Sequence, residues 1–310
     1  MFTKNKTTIS VLIPCYNWSI YDLVHDLHKL CSKSIKIHKF EIICIEDNST
    51  FFFKNAEISK LQYVTHETLS KNIGRSKIRN LLAKRANYEW LLFIDADQKI
   101  VNDKFIEIYI NQILNQNVCK STQKTLYYGS TIYPLKTVEK NTELHWKYGS
   151  NVEAKRKKNV FSSHHFLISK HYFSEKKVSF NENITSYGYE DVFFVLENNL
   201  KTTYVNNPLL HIGIKKTAKF IKQTESALRN LSEQHKFTAN PEKIIRILYF
   251  QKKISDMKLT NLILNIFNIS KEMILKNLHS KHPSIWLFQF YKLGFFLQLK
   301  NTQILIKKRQ

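Results

Sequence analysis

The stretch YEWLLFIDADQK (residues 88–99) decides the fold. It places five consecutive apolar residues, 90–94, before two carboxylates, Asp95 and Asp97, with Ala96 between them. An apolar run of this length bounded by polar residues predicts a strand buried on both faces, as in a parallel sheet. Open α/β sheets bind ligands beyond the carboxyl ends of their strands. Adjacent carboxylates there predict a bound Mg2+ or Mn2+, and a solvated strand end or a helix cap is the alternative.

Two earlier strand patterns predict that this sheet begins with a βαβ unit. Residues 9–13 and 40–45 are mostly apolar, and residues 19–33 between them carry apolar side chains at the spacing of one helix face. A strand, a helix and a strand in this order imply a right-handed crossover and a parallel pair. Polar residues follow both strands, at Tyr16 and Asp47. Three strand ends therefore gather polar groups at one edge of one sheet.

Two common nucleotide-binding motifs are absent from the sequence. There is no G-x-x-x-x-G-K-[ST], and no G-x-G-x-x-G follows the first strand pattern. P-loop NTPase and dinucleotide dehydrogenase functions therefore lose their main support. A helix predicted to begin near residues 72–76 offers instead a positive dipole end and basic side chains for phosphate.

Four ordered segments resemble the family-2 glycosyltransferases of the GT-A fold, whose donors are nucleotide-diphosphate sugars. The segments are SVLIPCYN (10–17), EIICIEDNST (41–50), NIGRSKIRN (72–80) and WLLFIDAD (90–97). They cover roughly the first third of the chain. The resemblance implies an α/β fold with a Rossmann-like, mostly parallel central sheet flanked by helices.

The resemblance implies that the first two segments bind the donor nucleotide. Pro14, Tyr16 and Asn17 are expected to line the nucleotide pocket. Asp47 is expected to accept the uracil N–H of a UDP donor. For Asn17 and Asp47 the alternative is a turn role, because Asn and Asp are common after strands.

The other two segments are expected to meet the donor's phosphates and ribose. Asn72, Arg75 and Arg79 resemble the loop on the base and phosphate side, although Arg79 as a surface helix residue is the alternative. Asp95 and Asp97 match the D-x-D pair of the family. Asp97 is the expected direct metal ligand, and Asp95 is expected nearer the ribose at the same metal site. A cation there would stabilise the charge on the diphosphate leaving group.

A later motif, F-N-E…Y-G-Y-E-D (residues 180–191), resembles the acceptor side of chondroitin-polymerase and β-1,4-galactosyltransferase-like members. By that resemblance Asp191 is the general base for the acceptor hydroxyl, and Glu190 holds the acceptor. Gly188 and Tyr189 stand where the galactosyltransferases have Trp-Gly, so their sugar preference does not carry over. Capping of the next helix by the acidic pair is the alternative.

His211 follows a strand pattern twenty residues after Asp191. By the same resemblance His211 is expected to complete the metal site, and imidazole favours Mn2+ over Mg2+. A structural histidine is the alternative. A single displacement with Asp191 as base implies inversion at the anomeric carbon.

The composition is strongly basic. The formal net charge is +23, and all but seven of the 48 basic residues are lysine. Such a charge attracts polyanions, but no nucleic-acid motif is present, so an anionic membrane surface or acceptor is the expected partner. Compositional drift toward lysine is the alternative. Four cysteines without metal-ligand spacing, no apolar signal region and no long apolar span predict a cytoplasmic protein.

The sequence after residue 100 predicts a different organisation from the first part. Residues 1–100 are interpreted as the nucleotide-binding half and 101–214 as the acceptor half of one catalytic domain, with 137–160 as a mobile basic loop or a solvated charge run. Lys-rich helical patterns predict a C-terminal helical extension at 215–310. Its last pattern, 284–300, suits an interfacial helix on anionic lipid. Packing on the catalytic domain and a homodimer contact are the alternatives.

Together these features predict an inverting, metal-dependent glycosyltransferase. It would move a hexose or N-acetylhexosamine from a UDP-sugar to a glycan or lipid-linked acceptor in surface polysaccharide or glycoconjugate synthesis, at the inner face of the membrane. A sugar nucleotidyltransferase, which would release pyrophosphate, and a non-catalytic glycan or membrane binder are the alternatives.

Overall fold

A computed structural model of the chain describes residues 6–51, 53–118, 124–136, 139–155, 160–175, 177–234 and 241–309. Cys119 and most of the basic run at 155–158 lie outside the described residues. The chain divides into two compact units. The first unit comprises Met1–Pro134, Glu153–Thr185 and Glu190–Gly213, and the second comprises Leu135–Val152, Ser186–Tyr189 and Ile214–Gln310.

The described residues form ten strands. They are β1 (Thr7–Cys15), β2 (Ile37–Glu46), β3 (Val64–Thr68), β4 (Trp90–Ile94), β5 (Gln98–Lys99), β6 (Thr125–Tyr128), β7 (Thr131–Ile132), β8 (His165–Ser169), β9 (Lys201–Tyr204) and β10 (Leu209–His211).

Ten α-helices accompany these strands in the described ranges. They are α1 (Tyr21–Lys33), α2 (Arg75–Arg85), α3 (Phe105–Val118), α4 (Glu143–Tyr148), α5 (Lys170–Ser174), α6 (Glu190–Glu197), α7 (Thr217–Gln234), α8 (Arg246–Asp256), α9 (Thr260–Leu278) and α10 (Ile285–Arg309). Short 3-10 segments occupy Lys54–Lys60 and Pro241–Lys243, and a π-helical turn occupies Gly149–Glu153.

A seven-stranded sheet in the order β3-β2-β1-β4-β8-β6-β9 organises the first unit. Strand β1 pairs in parallel with β2 and β4, as β2 does with β3 and β6 with β9. Strand β8 is antiparallel to both of its neighbours. A small second sheet joins β5, β10 and β7. The predicted α/β fold with a mostly parallel sheet is therefore confirmed.

The side chains of the central strands alternate between two hydrophobic cores, one on each face of the sheet. In β4, Trp90, Leu92 and Ile94 belong to one core, while Leu91 and Phe93 belong to the other. The first core includes buried residues of α1 and α3, and the second includes residues of α2. A strand covered on both faces explains why its sequence is continuously apolar.

Helices dominate the second unit. Helix α10 packs against α7 and α9, and its buried residues include Phe288, Tyr291, Phe295 and Phe296. Most aromatic residues expected at a lipid surface are therefore core residues of this unit.

The prediction of a loop at 137–160 is wrong over part of that range. Helix α4 and the π-helical turn form there, and α4 buries Leu144 and Tyr148. No helix in the described ranges is long and apolar enough to cross a membrane.

Candidate functional site

The carboxyl ends of β1, β2 and β4 lie side by side, because these three strands are parallel neighbours. Pro14 pairs with Ile45 near the end of β1. Tyr16, which follows the last residue of β1, is half exposed. Asp47 follows β2 directly, and Asp95 follows β4 directly. The topology therefore brings the predicted polar groups to one edge of the sheet, where ligands bind in open α/β sheets.

Asn17 joins the loops that follow β1 and β2. Its Oδ1 accepts hydrogen bonds from the backbone N–H of Thr50 (2.7 Å) and Phe51 (3.1 Å), and its own N–H donates to Ser49 Oγ (2.9 Å). Its φ of 51° lies in the left-handed region that Asn tolerates. These contacts fix the shape of the predicted nucleotide pocket at this point.

Asp47 holds the loop that precedes α2. Its two carboxylate oxygens accept hydrogen bonds from the backbone N–H of Ile73 (2.6 Å) and Gly74 (2.9 Å), and Asn72 Nδ2 donates to its carbonyl oxygen (2.9 Å). Gly74 has a φ of +84°, which favours glycine. A carboxylate has about four acceptor sites, so Asp47 retains capacity for a further donor.

Arg79 connects the two acidic motifs. The residue is 1% exposed, and its Nη2 lies 2.7 Å from Asp95 Oδ1 and 3.4 Å from Ser163 Oγ. Its Nη1 lies 3.7 Å from Glu190 Oε1, and its guanidinium covers the Phe180 ring at 5.4 Å. One buried cation thus lies between the D-x-D segment and the E-D segment.

Glu190 and Asp191 begin α6. Glu190 is buried and also lies 3.3 Å from Arg75 Nη1. Asp191 is partly exposed, and its Oδ1 accepts a hydrogen bond from the N–H of Val192 (2.8 Å). Glu190 is therefore fixed by two arginines, whereas Asp191 is accessible to solvent.

Asp97 and His211 meet through the pairing of β5 with β10. His211 lies opposite Gln98 in that pairing, and the Nδ1 of His211 is 3.4 Å from Asp97 Oδ1. The Nε2 of Gln98 lies 2.9 Å from His211 Nδ1 and 3.2 Å from Asp97 Oδ1. Which of Gln98 and His211 donates in this contact depends on the tautomer of His211, and an imidazole that binds a cation through Nε2 carries its proton on Nδ1.

Three residues that the sequence did not single out belong to this cluster. Gln98 bridges Asp97 and His211, and a Cβ on Gly213 would lie 2.4 Å from Asp97 Oδ2, so only glycine leaves that oxygen room. The ring of His164 lies 5.7 Å from that of His211. Burial, and secondly the neighbouring His211, lower the pKa of His164. The available signals were the position of Gln98 directly after D-A-D and the glycine two residues after His211.

Asp97 and His211 are the two side chains of this cluster that could hold a divalent cation. Among the described residues, no group of three or more His, Cys, Asp and Glu side chains is placed to hold a metal. Mg2+ and similar ions are often held by one or two protein donors with phosphate oxygens of the substrate completing the shell. The space at Asp97 Oδ2 that Gly213 preserves agrees with that arrangement. Asp95 already forms an ion pair with Arg79, so Asp97 is the carboxylate of the D-x-D pair that is not engaged by that arginine.

Comparison with known proteins gives the family. The model of glycosyl transferase family 2 matches residues 10–176. An uncharacterized glycosyltransferase of Rickettsia conorii, RC0461, is 34% identical over 123 residues, which are 36% of this chain and 18% of that protein. This chain therefore spans less than a fifth of the length of that relative.

Solved structures with a similar fold include TarS of S. aureus. Its 1–349 fragment is 16% identical with a TM-score of 0.49, covering 98% of this chain and 92% of the fragment. The fragment in complex with UDP-GlcNAc is 17% identical with a TM-score of 0.49, covering 73% and 65%. A longer TarS structure is matched over 40% of its length. Because the family model covers more than half of the sequence, the chain belongs to glycosyl transferase family 2.

Proposed function

We propose that this glycosyltransferase moves a hexose or N-acetylhexosamine from a UDP-sugar to a glycan or lipid-linked saccharide, with inversion, in the synthesis of surface polysaccharide or glycoconjugates. The observation that carries the proposal is the buried Arg79 between Asp95 and Glu190. It joins the carboxylates expected on the donor side to the acidic pair expected on the acceptor side. We assign catalysis to residues 1–214 and an accessory role to 215–310.

The donor would lie along the edge formed by β1, β2 and β4. Asp47 would accept the uracil N–H with its remaining acceptor capacity, while Pro14, Tyr16 and Asn17 line the base pocket. Asn72 and Arg75 lie on either side of Gly74 at the start of α2, whose positive dipole end suits phosphate. Arg79, which is buried in its ion pairs, acts by holding Asp95 beside the ribose.

Asp97 and His211 would hold the divalent cation, with Asp95 next to them. Imidazole together with carboxylate suits Mn2+ better than Mg2+. When bound, the cation would neutralise charge on the leaving diphosphate. The role of Gln98 is to fix the ring orientation of His211 and one oxygen of Asp97, as partners of metal ligands commonly do.

The chemical step would use Asp191 as the general base. The acceptor hydroxyl oxygen attacks the anomeric carbon, its proton passes to the Asp191 carboxylate, and the bond to the diphosphate breaks with its electron pair on UDP. Glu190, fixed by two arginines, would position the acceptor. A single displacement of this kind inverts the anomeric configuration.

A lipid-linked acceptor would be met at a membrane surface. We therefore propose that the protein works at the inner face of an anionic membrane, with its basic helices toward the lipid and without nucleic-acid partners. Self-association of those helices into a homodimer is the alternative arrangement.

The direct experiment is a UDP-release screen across UDP-hexoses and UDP-N-acetylhexosamines with Mn2+, with and without a chelator. We expect release with one donor class, loss on chelation, and loss in Asp97→Ala. Asp191→Asn should lower turnover by about 10²- to 10⁴-fold while UDP binding persists. Asp26→Asn, on the exposed face of α1, is the matched control.

Each other result would count against a defined part of the proposal. Transfer that survives in Asp191→Asn removes the base assignment. Pyrophosphate in place of UDP would identify a nucleotidyltransferase. No product with any donor, despite binding of glycan or lipid, would identify a non-catalytic binder.

A further inference from the structure

Helix α9 carries an apolar face that is exposed. Leu262, Ile266, Ile269 and Met273, which we call the α9 stripe, recur at intervals of four, three and four residues, so they follow one face of the helix. All four are exposed, Ile269 to 86% and Met273 to 67%. Contiguous exposed apolar residues of this kind mark an interaction surface.

The opposite face of α9 already anchors the helix within the second unit. Its buried residues are Leu264, Phe267, Ile274 and Leu278. Phe267 meets the rings of Phe290 and Tyr291 in α10, with centroids 6.2 and 5.7 Å apart. The helix is thus apolar on two opposite sides, and only one of them is needed for the core. The α9 stripe therefore calls for a partner outside this unit.

The charges around the α9 stripe indicate which partner it meets. Lys258 precedes the helix, Lys276 lies on the stripe side one turn after Met273, and Lys281 follows the helix, and all three are exposed. Glu272 is the one acidic residue of α9. Residues 215–310 contain nineteen Lys and Arg against five Asp and Glu. A second copy packed on this face would bring lysines together, whereas an anionic surface would neutralise them.

We propose that the α9 stripe docks the protein on the surface of an anionic lipid bilayer. The inference rests on the membrane partner of the proposed function and names the side chains that make the contact. From Leu262 to Lys276 the face is about 20 Å long at ~1.5 Å per residue. Its apolar side chains would enter the boundary between headgroups and acyl chains, and the lysines would meet lipid phosphates.

The test is cosedimentation of the full chain with vesicles of phosphatidylcholine alone and of phosphatidylcholine mixed with phosphatidylglycerol. We expect binding to the mixed vesicles and weaker binding to the neutral ones. Ile269→Gln combined with Met273→Gln should weaken binding about tenfold or more, because two apolar side chains that would enter the bilayer are lost. Ile35→Gln is the matched control, since Ile35 is 80% exposed in the first unit and should leave binding unchanged.

Three results would overturn the inference. They are equal binding by the doubly substituted chain, no vesicle binding by the unsubstituted chain, and a concentration-dependent dimer that the double substitution abolishes. UDP release measured on the same proteins separates the two proposals. Release without vesicle binding removes only the membrane contact, and vesicle binding without release removes only the enzymatic proposal.

Discussion

At the scale of single residues, Arg79 is a buried cation held by two carboxylates. A buried guanidinium is stable only when it is neutralised, and Asp95 and Glu190 supply that charge at 2.7 and 3.7 Å. The resemblance predicted a donor-side role for Arg79, and a surface position was the alternative. The structure buries Arg79 with Ile78 in α2, so the surface position is wrong, and the donor-side role stays a prediction. That position was readable as a basic residue within the apolar face of the predicted helix.

Arg79→Met should therefore destabilise the protein as well as stop turnover. Removing one partner of a buried ion pair leaves uncompensated carboxylates, which costs about 3–5 kcal/mol. Arg85→Met on the same helix is the matched control, because Arg85 pairs with Glu67 in solvent, where the cost is about 0–1 kcal/mol. Urea unfolding of both variants measures the difference. Equal unfolding midpoints would show that the buried ion pair contributes nothing to stability.

His165 makes stability depend on pH. Its ring lies between the Tyr109 hydroxyl (2.7 Å) and the Ser130 carbonyl (3.1 Å), and burial lowers its pKa to about 4. In the unfolded chain the His165 ring takes up a proton below its ordinary pKa of about 6.5. In the folded chain it does so only below about 4. The stability contribution is therefore complete above pH ~6.5 and is lost as the pH falls to ~4, by about 2–4 kcal/mol.

The corresponding measurement is urea unfolding at several pH values across that window. His165→Gln should flatten the decline in the free energy of unfolding, while His38→Gln, at an exposed position of β2, should leave it unchanged. An unaltered decline in His165→Gln would mean that other groups control the acid sensitivity.

At the scale of secondary-structure elements, the sequence predicts the strands and helices whose own residues carry a clear hydrophobic pattern. The run at 90–94 predicts β4 with its observed bounds, and the helical extension predicted at 215–310 includes α9. The antiparallel direction of β8 depends on its neighbours in the sheet, which its own pattern does not encode. Strands β5 and β10 are two and three residues long and exist only through their pairing. The contact of Gln98 with His211 was therefore not predictable.

A substitution at Gly294 would test the packing of α10 on α9. Glycine inside a helix is about 1 kcal/mol less favourable than alanine, so Gly→Ala there normally stabilises. Here a Cβ would lie 2.3 Å from the ring of Phe267, and the clash should reverse the sign. We expect Gly294→Ala to lower the free energy of unfolding by about 1–3 kcal/mol. Thermal unfolding would measure this change.

A second substitution makes the cause visible. In a Phe267→Leu background, the same Gly294→Ala change should cost less, because the ring that opposes the new methyl group is gone. The coupling energy between the two positions is the measured quantity. Additive effects would show that the ring is not the obstacle.

At the scale of the whole molecule, the sequence shows a strongly basic chain, but it does not show which surface presents the positive charges to a partner. Residues 215–310 contain nineteen basic and five acidic residues, and the helices of this segment keep several apolar side chains exposed. Aromatic residues at 284–300 were expected at a lipid surface, yet most of them fill the core of the second unit. Hydrophobic pattern alone does not distinguish a helix face that meets other helices from one that meets a partner, because both are apolar.

Ionic strength separates a functional charge from a merely compositional one. Raising salt from about 0.01 M to 0.15 M shortens the screening length from ~30 to ~8 Å. Binding to the mixed phosphatidylglycerol vesicles should weaken strongly over that range, since each lysine near an anionic surface contributes about 1 kcal/mol at physiological salt. The small affinity for neutral vesicles should change little, because burial of the α9 stripe involves no net charge. Equal salt dependence on both vesicle types would assign the lysine excess to composition and leave the exposed apolar face as the only attraction to lipid.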